Sequence, residues 1–188
     1  MLKLITVALL LLHSHLITAD YIDLLLEKEL LYNTQGESME NSISYRLTNE
    51  SIYLTSYDIS NVNPSINIVS ASLYITSQDI EEMKREGATE EESLTAQDST
   101  ISILLSAPFE RSMSLTKISS GLSFISQHVI RKGETIAVDI TDSIIYLQRS
   151  NSQDISLGFR IVGTTMTSFA SRDYDARSSY IQIKCLNV

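Results

Sequence analysis

The run from Glu134 to Lys184, ETIAVDITDSIIYLQ…SLGFRIVG…FASRDYDARSSYIQIK, constrains the fold more than any other part of the chain. Residues 135–139 read as a strand, Asp139-Ile140-Thr141-Asp142 as a corner, and Ser143–Leu147 as a short helical segment. Two further strands, a polar corner at Arg172–Arg177 and a final strand then follow. Strands of this length with turn residues between them build an antiparallel β-sandwich, in which each strand buries one face. This order is the closing half of such a sandwich.

The first half carries the same signature. Ser42–Leu47 alternates Ile43, Tyr45 and Leu47, and Ser51–Ile59 is a second strand. Asn61–Pro64 (NVNP) is a turn, because the residue before proline avoids helix and Asn tolerates turn geometry. Asn67–Thr76 is a strand with Ile68, Ser70, Ser72 and Tyr74 facing away from Val69, Ala71, Leu73 and Ile75. Thr100–Ser106 is another strand, Leu115–Ile125 and His128–Arg131 read as shorter extended pieces, and Lys132-Gly133 is a turn. Tyr21–Tyr32 (YIDLLLEKELLY) is two-sided. Ile22, Leu25, Leu26, Glu29 and Leu30 fit one helical face, yet the same residues could open the sandwich as its first strand. Asn33–Asn41 reads as a surface loop. An acidic insertion, about residues 78–98 and centred on EEMKREGATEEES, has the composition of one short solvated helix. Its carboxylates lack the alternating spacing of a calcium loop. The fold expected is therefore all-β: an antiparallel, jelly-roll-like β-sandwich with a short helical acidic insertion. Its core would draw on Leu54, Val69, Ala71, Leu73, Ile103, Val138, Ile140, Phe159, Ile161, Ile181 and Ile183.

Residues 1–19 read as a secretory signal peptide, with Lys3 ahead of an apolar core Leu4–Leu12 and Ala19 at the cleavage position. Residues 20–188 then form a single secreted domain. No later segment approaches the length of a membrane span. The chain has 188 residues and a formal net charge of −9 without a basic cluster, so it would repel a phosphate backbone and nucleic acid is excluded as a partner. Cys185 is the only cysteine. Its alternation with Ile181 and Ile183 points to burial in the last strand, and an intermolecular disulfide is the other use of an odd thiol. Asn49-Glu50-Ser51 matches the N-glycosylation sequon, with Asn49 as the acceptor.

Chemistry-bearing residues are sparse. His128 stands beside Val129 and Ile130 without a nucleophile elbow, and one His with one Cys cannot supply the usual zinc set. Asp139 and Asp142 could pass for a pair of catalytic carboxylates, but short polar side chains where a strand enters a helix more often cap backbone amides. No enzyme activity and no cofactor are expected. The densest polar cluster is Arg172, Asp173, Tyr174 and Arg177, with Tyr180 just beyond. Aromatic faces stack on sugar rings while Arg and Asp hydrogen-bond hydroxyls, so this corner is the candidate ligand site. It could instead be an ion-paired corner that pins the last strand. In that case loss of Arg172 would cost about 3–5 kcal/mol.

Several short segments, in order, resemble the DNRLRE-type β-sandwich family, which includes carbohydrate-binding modules. They are Ile52–Ser60 (IYLTSYDIS), Ile68–Ile75 (IVSASLYI), Ile136–Thr141 (IAVDIT), Leu157–Ile161 (LGFRI), Phe169–Asp173 (FASRD) and Tyr180–Ile183 (YIQI). The resemblance spans roughly residues 45–76 and 130–184. It implies a secreted, non-catalytic module that binds carbohydrate. The arm domain of TGF-beta family propeptides is similar at three of these, Ile52–Ser60, Ile68–Ile75 and Ile136–Thr141. That similarity implies the alternative, an extracellular protein-interaction or structural domain, and the absence of Trp and the acidic insertion fit it.

Overall fold

A computed structural model of the chain describes residues 19–33, 38–39, 44–78, 98–110, 112–172 and 179–186. The fold is all-β. In chain order the strands are β1 (Ala19–Asn33), β2 (Ser38–Met39), β3 (Ser44–Leu47), β4 (Ser51–Asp58), β5 (Asn67–Thr76), β6 (Ser99–Ser106), β7 (Ser123–Ile130), β8 (Thr135–Asp139), β9 (Asp154–Val162), β10 (Thr167–Ala170) and β11 (Ser179–Leu186). Helix α1 (Leu115–Ser120) precedes β7, and α2 (Thr141–Arg149) follows β8. The main sheet runs β7-β6-β9-β4-β1-β11-β5-β8, with β2 beside β1, and β10 pairs with β3 apart from it. Each of these pairings is antiparallel. The two ends of the order, β7 and β8, are consecutive in the chain. They are joined by a turn in which the Glu134 N–H donates to the Arg131 carbonyl, and Gly133 takes φ +67° there. The sheet is thereby nearly closed.

The ambiguous first segment is one long strand shared by both halves of the sheet. Ala19–Leu25 pairs with β11, and Leu26–Asn33 pairs with β4. A register shift between Leu26 and Lys28 makes Glu27 an extra residue. A bulge of this kind reverses which alternate residues face the core. Leu24 and Leu26 point inward before it, and Leu31 after it. Leu30 and Tyr32 point outward into a second cluster. This reversal erases the two-residue period and leaves apolar spacing that mimics a helix.

The main core lies between the halves. Leu73, Val138, Ile181, Ile183 and Cys185 from one side meet Tyr53, Tyr57, Ile103, Ile155, Leu157 and Phe159 from the other. The second cluster sits on the outer face of the β4 half, where Leu30, Tyr32, Ile52 and Leu54 are covered by Phe109 and Ile118. Residues 52–57 of β4 are consequently buried on both faces. Gly158 permits this covering, since a Cβ there would lie 3.3 Å from Leu122 and 3.4 Å from Ile52 and Leu54.

Ten of the eleven expected core residues are buried, and Val69 is not. β11 skips a residue against β5, pairing Lys184 with Ser70 but Cys185 with Ile68. The bulge turns Ile68 against the core and leaves Val69 45 % exposed. A second correction is α1, which forms where extended chain was expected. Ser114 caps it through a hydrogen bond from the Lys117 N–H, and Ile118 anchors it on the outer cluster. Within the expected loop 33–41, Ser38–Met39 adds a short strand to β1. The turn at Asn61–Pro64 is held by the Asn63 carboxamide, which accepts from the Ser65 N–H at 2.9 Å, and by Gln148 of α2. The acidic insertion lies outside the described residues except for its ends, Gln78 and Asp98, and the expected signal peptide lies outside them except for Ala19. No helix among the described residues is long and apolar enough to cross a membrane.

Burial sets an alkaline limit on this core. It pushes the Tyr57 phenol from its ordinary 10.0 up to about 12, although a hydrogen bond to Ser179 acts the other way. Tyr53 is also raised well above its ordinary value, by burial first and then by the charge of Glu29. A folded-state pKa above the unfolded value contributes stability that is complete below the unfolded pKa and lost as pH rises through the folded one. Stability should therefore hold up to pH 10 and decline toward pH 12. Absorbance titration of the nine tyrosines against circular dichroism tests this. Ionisation of all nine near pH 10 with the fold intact would overturn it.

Candidate functional site

Glu29 enters the core because the bulge at Glu27 turns it inward. It is 9 % exposed, and its carboxyl group accepts three hydrogen bonds. The Tyr53 hydroxyl donates to Oε2 at 2.7 Å, while the Ser171 hydroxyl and the Arg172 N–H donate to Oε1 at 2.6 and 3.0 Å. One acid thus ties β1, β4 and the segment after β10. Tyr53 is fixed in turn by rings around it, with Tyr45 at 5.2 Å, Phe169 at 5.5 Å and Phe159 at 5.7 Å between centroids. A buried carboxyl is tolerated where its oxygens are saturated with donors.

This network changes the reading of the polar corner. Arg172 is exposed, and its backbone N–H donates to Glu29. Glu29, which fits a candidate helical face in the sequence, therefore braces the segment that leads into the corner. Asp173, Tyr174 and Arg177 lie outside the described residues. Asn49 occupies an exposed turn between β3 and β4, where Thr48 and Ser51 exchange hydrogen bonds across it. Cys185 is buried in the main core as a free thiol whose pKa is raised by that burial and by Asp20. A bridge to another chain would require β11 to leave the core. His128 is half-buried on β7 with Ser126 as its hydrogen-bonding neighbour at 3.1 Å.

Asp139 holds the strand-to-helix corner as expected. Its Oδ1 accepts from the Thr141 N–H at 2.9 Å and from the Thr141 hydroxyl at 2.5 Å, and these bonds hold its carboxyl below the ordinary 3.8. Thr141 Oγ1 also accepts from the Ala71 N–H at 2.9 Å, which fixes the corner to β5. The corner borders a hollow of about 350 Å³ lined by Asp139, Thr141, Asp142 and Ser143 from one side and by Phe124 and Ile125 of β7 from the other. The hollow therefore spans the seam between β7 and β8. Phe124 is 66 % exposed beside it.

Asp139 also ends a row of polar side chains across the outer face of the other half. The register sets Asp23, Gln182, Ser72 and Asp139 side by side on β1, β11, β5 and β8. Gln182 Nε2 donates to Asp23 at 3.0 Å. The neighbouring row is Leu25, Tyr180, Tyr74 and Ala137, in which the two tyrosine rings stack at 4.8 Å with 10° between planes. The sequence alternation had turned Ser70, Ser72 and Tyr74 to this face, but the register that aligns them with Gln182 and Asp139 comes from pairing across the sheet.

No protein-family model matches the chain, and no curated protein matches it. A solved structure titled "Crystal structure of PirA" is similar at 12 % identity, over 77 % of this chain and 96 % of that one, with a TM-score of 0.25. A likeness at that score carries no argument about this chain.

The two roles at the polar corner separate by mutation. Glu29→Ala should remove about 3–5 kcal/mol of stability, because it strands two buried donors and a part-buried third at once. Arg172→Ala should cost about 1 kcal/mol or less, as exposed charged side chains do. Urea unfolding of both variants makes the comparison. Equal losses, or a Glu29→Ala loss below about 1 kcal/mol, would remove Glu29 from its bracing role.

Proposed function

We propose that this chain is a secreted, non-catalytic module that binds carbohydrate on a jelly-roll-like sandwich of the DNRLRE type. The observation that carries the reading is the seam hollow. An exposed Phe124 ring lines the hollow together with Asp139, Thr141, Asp142 and Ser143, and Asp139 also ends the polar row of Asp23, Gln182 and Ser72. Sugars combine apolar ring faces with many hydroxyls, so an aromatic plane beside a row of carboxylates, amides and hydroxyls is complementary to them. Asp139 suits an accepting role. Its depressed pKa keeps it ionised near neutral pH, where it can take a hydrogen bond from a hydroxyl but has no proton to give as a general acid. The corner residues Arg172, Asp173, Tyr174 and Arg177 lead in sequence into β11, and Tyr180 at its start belongs to the aromatic row. In this reading they are further ligand contacts. Asn49, in its exposed turn, is the proposed glycosylation site.

A second reading rests on the same face. Leu25 is 51 % exposed beside Tyr180, an apolar contact suited to an extracellular protein partner of the propeptide-arm kind.

A glycan array probed with the chain and with Phe124→Ala and Tyr74→Ala tests the proposal. The chain should retain one class of polysaccharide, and each aromatic truncation should weaken retention roughly two- to tenfold. Absence of retention on every class, or equal retention by both variants, would reject carbohydrate binding at this surface. Recovery of one stoichiometric protein lost with Leu25→Ser would support the second reading instead.

A further inference from the structure

The outer face of the β4 half changes character in steps along its strands. One cross-strand row holds Leu30, Leu54, Gly158 and Leu104, of which Leu30 and Leu54 belong to the apolar cluster under α1. The next holds Lys28, Ser56, Ser156 and Ser106. The row after it sets Asp58 of β4 directly opposite Asp154 of β9. Like charges in directly opposed positions destabilise a sheet unless something between them is positive. Hydrogen bonds from Ser60 hold the Asp58 carboxyl below its ordinary value, which keeps it charged.

A groove of about 490 Å³ opens over these rows. Glu27, Glu110 and Asp154 contribute carboxylates to its lining, and Pro108 and Met113 contribute apolar surface. Lys28 also lines it, but its ammonium donates to the Phe109 carbonyl at 2.7 Å and lies 5.1 Å over the Phe109 ring. That charge already fastens the segment 108–110 over the sheet. Among the described residues none of the three groove carboxylates forms an ion pair. A second observation comes from the groove's own floor. Ser156 is 3 % exposed, lines the groove on the face shared with Ser56 and Asp154, and its hydroxyl has no hydrogen-bond partner. A buried hydroxyl of this kind is satisfied when a ligand group reaches it. No three acidic, His or Cys side chains among the described residues come close enough to hold a metal ion. The carboxylates are spread along the groove, which suits an extended cation better than a point charge.

We propose that this groove binds an alkylammonium ligand, with ammonium groups against Asp154, Glu27 and Glu110 and methylenes against Pro108 and Met113. Two sources carry this chemistry, a free polyamine or the lysine side chains of a protein, and spermidine and a tetralysine peptide stand for them. Calorimetric titration of the full chain at low ionic strength should give saturable binding of at least one probe. Saturation by spermidine alone identifies the polyamine source, and by tetralysine alone the protein source. Asp154→Asn should weaken binding about tenfold, since an opposed charge is lost, and Ser156→Ala should weaken it as well. Folding is controlled by thermal melting. Without ligand Asp154→Asn should melt no lower than the parent chain, because it relieves the Asp58 repulsion. The bound probe should raise the melting temperature of the parent chain and leave that of Asp154→Asn nearly unchanged. Lack of saturation with both probes, equal affinity of Asp154→Asn, or equal binding of magnesium ion would each overturn the proposal.

Discussion

The fold turns on a single extra residue in its first strand. With Glu27 inserted, β1 pairs with β11 before the bulge and with β4 after it, so the strand belongs to both halves of the sheet. The bulge also carries Glu29 to the core side, where it meets donors from β4 and from the segment after β10. A carboxyl in that position is costly unless its acceptors are filled. The requirement to fill them specifies how Tyr53, Ser171 and the Arg172 backbone are arranged around it. Apolar contacts alone would tolerate several arrangements, because hydrophobic burial is not directional. The acid supplies a condition that a slipped register of β1 would not meet.

The two halves of the sheet treat their outer faces differently, and this positions both the seam hollow and the acidic groove. On the β4 half the apolar rows need a cover, which α1 and Phe109 provide. The cover gives way over the serine row, and there the groove opens. On the β5 half the face is mixed: Ser70, Ser72, Gln182 and Lys184 are content in water, the two tyrosines shield one another, and Leu25 is left exposed. That face stays open up to the seam, where Phe124 is left exposed at the edge of β7. Both surfaces arise from where apolar rows stop.

Much of the strand pattern was legible in the chain because β5, β6, β8 and β11 keep a two-residue period over most of their length. β5 was read with the bounds it has, and the corner from Asp139 to Thr141 was read with its capping role. Three places resisted. The bulge at Glu27 destroyed the period of β1, and the bulge facing Ser70 and Ile68 exchanged Ile68 for Val69 at the core. The helix α1 is a six-residue element whose stability comes from docking Ile118 onto a cluster formed by distant strands, so its local propensity carried little signal. At the polar corner Arg172 stands out by its charge, yet its contact with Glu29 is made by a backbone amide, which no side chain announces.

The sequence by itself determined that this chain is all-β with antiparallel strands, and that Cys185, Ile181 and Ile183 share the core side of the last strand. These follow from alternation and turn chemistry, which are local properties. Only the tertiary structure decided which residues stand beside one another across strands. Tyr74 meets Tyr180, Asp139 joins the row of Asp23 and Gln182, Asp58 opposes Asp154, and Glu29 finds Tyr53 and Ser171. Register between strands distant in sequence is set by the bulges and by the core that both halves enclose. Neither has a fixed spacing along the chain, and for that reason the surfaces that could bind a ligand were written in the pairing rather than in any one segment.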